Sequence, residues 1–309
     1  MKLQQLRYLC EVANHQLNLS KAAHKLHTSQ PAISKQIQLL EAELGLQLFI
    51  RNGKRIVQIT PPGNTIIQIA RKVLQEADNL KKAAQEYTHE DSGTLTIATT
   101  HTQARYVLPP VIKQFTALHP KVSLILRQGS PTQISALVTS GEADIAIATE
   151  AIEHFHELIM LPCYQWNRCI VVPPEHPLLQ EKKLTLEAIS QYPIITYDFA
   201  FTGRSKINQA FEKKGLTPNV VLTAIDSDVI KTYVELGLGI GILAKMAFDP
   251  LRDKHLEAID ASHLFDSSTT RIGISRNNYL QRFVFDFIEM FAPHLNRTVI
   301  LEKIKHNSV

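Results

Sequence analysis

Apolar residues fall at helical spacing from the start of the chain. Leu3, Leu6, Leu9, Cys10 and Ala13 form one stripe and predict a first amphipathic helix. Ser20 is a good N-cap for a short second helix over KAAHKL, whose Ala22 and Ala23 are small enough to admit a close neighbour. A third helix is expected after HTS, with Ser29 as its cap, Pro31 in its first turn and Gly45 as its stop. Ile33, Ile37, Leu40 and Leu44 share its inner face. Two helices joined by a turn of about four residues make a helix-turn-helix. IRNGKRIVQIT then reads as a hairpin turning at Asn52-Gly53. From Pro62 to about Tyr87, a long helix carries Ile66, Ile69, Ala70, Val73, Leu74, Ala77, Leu80 and Ala84 on one stripe. A partner helix from a second subunit is the natural cover for it, as in a coiled coil.

After Asp91-Ser92-Gly93 the pattern changes to short apolar runs separated by helical stretches. TLTIATT, VSLILRQ and ADIAIAT read as strands buried on both faces, with helices near 109–118 and 131–141. RCIVVPP, PIITYD, VVLTAI and GIGIL form a second series, with helices near 203–214 and 228–236. Two such series imply an α/β body of two lobes with a ligand cleft between them. SSTTRIGISR and the helix YLQRFVFDFIEMFAP are expected to return to the first lobe. The expected domains are 1–61, a linker over 62–90 and a body over 91–309. Within the body, lobe 1 takes about 91–162 and 266–293, and lobe 2 about 163–265.

Charge separates the two parts. Residues 1–88 hold 12 of the 33 Lys and Arg but 6 of the 29 Asp and Glu, a surplus of +6, while the remainder carries −2. A basic head on a slightly acidic body suits a polyanion-binding module attached to something else. No apolar run reaches the ~20 residues of a membrane span, and the N-terminus lacks a signal peptide's apolar core, so a cytoplasmic protein without membrane contact is expected. The three cysteines, Cys10, Cys163 and Cys169, form no CxxC pair and suggest neither a disulfide framework nor a thiolate zinc site.

Candidate chemistry lies on the outer face of the third helix. With Ile33, Ile37 and Leu40 turned inward, Pro31, Ser34, Lys35 and Gln38 face out, and Thr28, Ser29 and Gln30 sit at the tip. Such residues read base edges and phosphates, and a recognition helix uses its N-terminal residues most. Arg51, Lys54 and Arg55 in the hairpin are placed to meet phosphates, like a wing. In the body, polar residues cluster where strands run into helices: Thr99, Thr100, Thr102 and Gln103 after one strand, Thr149 after another, Thr202 and Gly203 after a third. Ligands in open α/β sheets lie beyond the carboxyl ends of strands, and free N–H groups at helix starts favour anions.

Catalysis has no visible seat. GLGIGIL (237–243) has glycines in the wrong order for a dinucleotide loop, since a helix precedes and a strand follows. His154, His156 and Cys163 lack the spacing logic of a metal site, and neither GxSxG nor a P-loop is present. No cofactor and no metal are expected. A solute-binding protein would share the body but would carry a signal peptide and no basic head.

The run from LRYLCEVAN to TPPG resembles, without a gap, the N-terminal winged helix-turn-helix of LysR-type transcriptional regulators. IATTHTQARYVLPPVIKQF, QGSPTQI, ADIAIATE, MLPCYQWNR, TYDFAFTGRSKI and DVIKTYVELGLGIGILAKMAFDPL are similar to the CysB group within that family, the activators of cysteine biosynthesis and sulfur assimilation. The similarity runs nearly end to end and fades after about Asn296. It implies a linker helix that dimerises the heads and an effector domain built like periplasmic solute-binding proteins. It implies a homodimer or homotetramer on promoter DNA, contact with RNA polymerase, and a population shift driven by a small-molecule effector. The effector would be N-acetylserine, formed from O-acetylserine, opposed by sulfide or thiosulfate. The implied anion-binding positions, suited to sulfate, are Thr100, Thr102, Gln103, Thr149 and Thr202, with Trp166 beside the pocket. A paralogue serving sulfonate or sulfate-ester use would sense adenosine phosphosulfate instead. The divergent tail NRTVILEKIKHNSV departs from the pattern.

Overall fold

The computed structural model describes residues 1–53, 55–87, 92–149, 158–199 and 204–306. These fall into two compact units, residues 1–88 with 277–279, and the remainder.

The first unit begins with α1 (Leu3–Asn14), α2 (Leu19–Lys25) and α3 (Gln30–Leu44). They enclose a core of Leu6, Leu9, Val12, Ala22, Ala23, Ile33, Ile37 and Leu40, while Leu3, predicted on the same stripe, stays exposed. The cap of α2 is Asn18, whose Oδ1 accepts the Ser20 and Lys21 N–H groups at 3.1 and 3.0 Å, rather than Ser20. The amide oxygen reaches two orphan donors from two residues earlier, and this frees the Ser20 hydroxyl to donate to Gln30 Oε1 at 3.3 Å. The expected ends of α3 hold: Ser29 Oγ accepts the Ala32 N–H at 3.3 Å, and Gly45 closes the helix at φ +67°, a left-handed position that favours glycine.

Strands β1 (Phe49–Asn52) and β2 (Arg55–Ile59) form the hairpin. Asn52 pairs with Arg55, so Asn52 belongs to β1 rather than to the turn, and Gly53 follows at φ +59°. Helix α4 (Pro61–Tyr87) follows, and Thr60 Oγ1 accepts the Gly63 N–H at 2.9 Å to start it. A Cβ on Gly63 would lie 2.2 Å from the Leu48 carbonyl oxygen, which shows how closely α4 approaches the hairpin. The first turns of α4 complete the head's own core through Ile67 and Ala70, with Ile66 and Leu74 partly buried. Ile67, not Ile66, is the fully inward residue. Farther along, the stripe stays open: Ile69 is 51% exposed and Leu80 74%.

The second unit holds two five-stranded sheets. Along the chain come β3 (Gly93–Thr99), a π-helical turn over Gln103–Val107 leading into α5 (Leu108–Leu118), β4 (Val122–Gln128), α6 (Pro131–Thr139), β5 (Ile145–Ala148) and β6 (Leu158–Trp166). They continue with β7 (Arg168–Val172), α7 (Leu186–Ile189), β8 (Ile194–Tyr197), α8 (Arg204–Lys213), β9 (Val220–Ala224), α9 (Ser227–Glu235) and β10 (Ile240–Ala244). The chain closes with β11 (Glu257–Asp260), β12 (Ser268–Ser275), α10 (Arg282–Phe291) and α11 (Arg297–His306).

The first sheet has the order β4-β3-β5-β12-β6 and the second β11-β7-β10-β8-β9. Each mixes βα crossovers between parallel strands with antiparallel strands, β12 and β6 in the first and β7 and β11 in the second. Strand β12 lies in the first sheet, and Phe283, Phe287 and Ile288 of α10 pack in the core beneath it. Strand β6 carries the first lobe to Trp166, a few residues beyond the expected change at 162–163. Helix α11 adds Ile300 to the same core, beyond the expected end near 293.

The glycines of GLGIGIL serve packing. A Cβ on Gly239 would lie 2.3 Å from the Pro193 carbonyl oxygen, and one on Gly241 2.5 Å from Val171 Cγ2. They let β10 sit between β7 and β8.

Candidate functional site: a DNA-reading helix and an inter-lobe pocket

In the first unit, Ser29, Gln30, Pro31, Lys35 and Gln38 are exposed, with Ser34 and Thr28 half-buried between them. They run along one side of α3 from its N-terminus, opposite the buried Ile33, Ile37 and Leu40. The free N–H end of α3 and the Lys35 ammonium give this side a positive potential, and the hydroxyls and amides supply both donors and acceptors. Arg55 in β2 is exposed. Lys54 lies outside the described residues.

Arg51 is placed differently from the sequence expectation. Its Nη1 donates to Glu41 Oε2 at 2.7 Å, and Glu41 is buried in α3. The other oxygen of Glu41 accepts the Leu48 and Phe49 N–H groups at 2.9 and 3.2 Å. One carboxylate thus ties the hairpin to the helix, and Arg51 neutralises it. The sequence carried no signal for this, because Glu41 reads as an ordinary helix-surface acid.

In the second unit, Thr100, Thr102, Gln103 and Thr149 from the first lobe meet Tyr197, Ile225 and Ala244 from the second, with Trp166 at the crossover. They enclose about 20 Å³, room for one or two waters. Thr202 lies outside the described residues. Thr99, read in the same polar cluster, instead points into the sheet, where its hydroxyl donates to the Ile147 carbonyl at 3.0 Å.

Hydrogen bonds hold the pocket walls. Gln103 is fully buried, its Nε2 donating to Thr270 Oγ1 at 3.3 Å and its Oε1 accepting the Tyr164 hydroxyl at 2.6 Å. Tyr197 shares a 2.7 Å bond with Ser227 Oγ, accepts the Ala244 N–H at 3.2 Å and bonds the Thr102 side chain. Burial raises its phenol pKa, so the hydroxyl stays neutral. Arg168 sits 5.2 Å from the Trp166 ring centroid and donates to the Asp266 carbonyl at 3.0 Å and to Ser268 Oγ at 2.9 Å, tying the two crossing segments. Sequence reading missed Tyr197, Thr270 and Arg168, which sit in strands that read as core, and Tyr164, whose strand was not read. The position of Tyr197 at a strand's carboxyl end was the one available signal.

Two buried polar atoms here have no partner, Thr149 Oγ1 and Trp166 Nε1. Among the described residues, the pocket is lined by hydroxyl, amide, indole and apolar groups, with no Lys, Arg, Asp or Glu. Such a lining suits a small oxyanion held by neutral donors at a helix start, without a charge to be buried unpaired.

His154 and His156 lie outside the described residues. Among the described residues, His101, Asp226 and Asp228 place ligand atoms within 4.8 Å of one another. Asp226 is already the cap of α9, accepting the Val229 N–H at 2.8 Å, and Asp228 lies 3.4 Å from Lys231 and 3.5 Å from Arg105. The cations a metal would replace are supplied by the chain. No described helix is long and apolar enough to cross a membrane.

Residues 3–64 match the bacterial regulatory helix-turn-helix proteins of the lysR family, and residues 88–296 match the LysR substrate binding domain. The chain is 53% identical to the transcriptional regulator SsuR of Burkholderia cenocepacia, over 97% of each chain. It is 52% identical to the regulator CysB of Haemophilus influenzae, over 100% of this chain and 96% of the relative. The cofactor-binding domain of the Cbl transcriptional regulator superposes with a TM-score of 0.68 at 46% identity, covering 70% of this chain and 95% of that one. These relatives are regulators rather than enzymes, and the chain belongs to the LysR family of bacterial transcriptional regulators.

Proposed function

We propose that the chain regulates genes of sulfur assimilation and cysteine biosynthesis. It reads promoter DNA with α3 and the hairpin and senses a sulfur-linked metabolite in the inter-lobe pocket. N-acetylserine or O-acetylserine is the inducer, and a sulfate-like anion such as sulfate or thiosulfate occupies the pocket. Thr100, Thr102, Gln103 and Thr149 bind the anion with Trp166 beside it, and Thr202 belongs to the same set. The chain acts as a homodimer or homotetramer whose heads pair through the open stripe of α4, and it engages RNA polymerase at the promoter.

The observation that supports the effector reading is the uncharged lining among the described residues, where two buried polar atoms, Thr149 Oγ1 and Trp166 Nε1, have no partner. A buried hydroxyl or indole N–H without a partner costs about 1–3 kcal/mol, which a bound oxyanion recovers. Ligand binding then shifts the populations of lobe arrangements and, through them, the placement of the heads.

Trp166 is the sole tryptophan, so its fluorescence reports the pocket. A titration of the full chain with N-acetylserine, O-acetylserine, sulfate and thiosulfate, with chloride as the ionic control, should give saturable changes that Thr100→Ala weakens. Equal responses in Thr100→Ala would remove these loops from the site. SsuR and CysB match this chain about equally, so adenosine phosphosulfate is a further arm. A response to it alone would move the assignment to sulfonate or sulfate-ester use.

A further inference from the structure

One lobe-to-lobe contact lies outside the pocket yet is built from the same two segments. The Tyr106 hydroxyl donates to Asp228 Oδ1 at 2.6 Å, and Arg105 Nε lies 3.5 Å from the other oxygen. The Tyr106 ring belongs to the first lobe's π-helical turn but packs against the second lobe's core. Lys231 Nζ lies 5.1 Å from that ring's centroid and 3.4 Å from Asp228. Lys231 is itself fixed by Asp253 Oδ1 at 2.8 Å and the Ala247 carbonyl at 3.1 Å. The joint is therefore an ordered, charge-assisted contact rather than a loose surface pair.

Its place in the chain links it to the pocket twice. In the first lobe, Thr102 and Gln103 line the pocket, while Arg105 and Tyr106 of the same turn make the joint. In the second lobe, Ser227 bonds the pocket's Tyr197, and the next residue, Asp228, receives Tyr106. The spacing between Thr102 and Tyr197 is set by the two segments that the joint holds together. At that spacing the pocket offers about 20 Å³, well below the ~300 Å³ and upward typical of organic ligand sites.

Resting on the reading of this pocket as the effector site, we propose that Tyr106 is a positioning residue that sets ligand size. With Tyr106 bonded to Asp228, the lobes stand at the spacing for a compact tetrahedral oxyanion. With the bond released, the pocket widens to admit an N-acylated amino acid. The two ligand classes favour different arrangements, and the joint biases the balance between them.

The test is calorimetric titration of the full chain and its Tyr106→Phe and Asp228→Asn variants with sulfate and with N-acetylserine. Tyr106→Phe keeps the ring in its packing site and removes only the hydroxyl. The expected result is weaker sulfate binding and tighter N-acetylserine binding, each by about three- to tenfold, in both variants. A purely structural role would weaken both ligands together, and that result, or no change in either, would overturn the proposal while leaving the pocket reading intact. Failure of the wild-type chain to bind either ligand would remove the pocket reading and the proposal with it.

Discussion

Removing the Glu41 carboxylate tests how α3 holds the hairpin. Glu41→Ala orphans the Leu48 and Phe49 N–H groups, which it accepts at 2.9 and 3.2 Å, in residues that are fully buried. Each orphaned buried donor costs about 1–3 kcal/mol, so the pair costs about 2–6 kcal/mol. The Arg51 ion pair is partly solvated, its side chain 23% exposed, and adds less than about 1 kcal/mol. Glu41→Gln retains an oxygen for the two N–H groups and should lose only about 1–2 kcal/mol, the difference between a charged and a neutral acceptor. Against a domain stability of about 5–15 kcal/mol, the alanine variant should leave the head marginal and the glutamine variant folded. Urea unfolding followed by circular dichroism sums the helices of both units, so the head's loss is read as the part of the helical signal that unfolds at lower urea than Trp166. Trp166 fluorescence is the internal control, because the tryptophan lies in the other unit, whose cores are separate. Equal losses for Ala and Gln would show that the backbone bonds are not what Glu41 supplies. A matching shift of the Trp166 transition would show that the two units do not unfold separately.

Other outcomes follow from particular groups. Lys35→Gln and Arg55→Gln should each lower the slope of log affinity against log salt by about 0.9, the signature of one lost phosphate contact. Arg51→Gln should weaken DNA binding without changing that slope, because its charge is spent on Glu41; electrophoretic or anisotropy titrations across salt separate the two cases. Gly63→Ala should destabilise the head measurably in the same urea assay, since the added Cβ meets the Leu48 carbonyl at 2.2 Å and backbone must move. Burial pushes the thiols of Cys10 up to about 11 and of Cys163 and Cys169 to about 12, above the usual 9.0. The folded chain thus holds protons that the unfolded chain releases, so their contribution is intact below pH 9 and is lost as pH rises from 9 toward 12. Melting temperature should fall over that window, and less steeply in Cys10→Ser; a steeper fall would contradict the assignment.

Local chemistry made some elements legible and left others hidden. Ser29, Pro31 and Gly45 fix the limits of α3 because capping and backbone restriction act within a few residues. The sequence pointed to Ser20 as the cap of α2, but Asn18, just before the helix begins at Leu19, takes that role. Asn52, read as a turn residue, belongs to β1 because register depends on pairing across strands. Strand β6 was obscured by Pro162, which is tolerated at the edge of its sheet, where a missing N–H breaks no ladder. Which residues of α4 turn into the head's core at its start depends on α1 and the hairpin, and Ile67, off the predicted stripe, is buried there. The threonines of the pocket were visible as polar residues at strand ends. Tyr197, which closes it, and Tyr106, which meets Asp228 across 122 residues, were not, since tertiary contacts alone give them a role.

The central claim, that occupancy of the pocket governs binding by the head, is tested most directly by DNA affinity measured with and without ligand. A promoter fragment selected by the full chain from genomic DNA would be titrated by anisotropy in the presence and absence of sulfate and N-acetylserine, for wild type and Thr149→Val. The account predicts that ligand shifts the wild-type affinity, that Thr149→Val retains the ligand-free affinity but loses the shift, and that deleting residues 1–88 abolishes DNA binding. An unchanged ligand response in Thr149→Val, or DNA binding that survives the deletion, would contradict it.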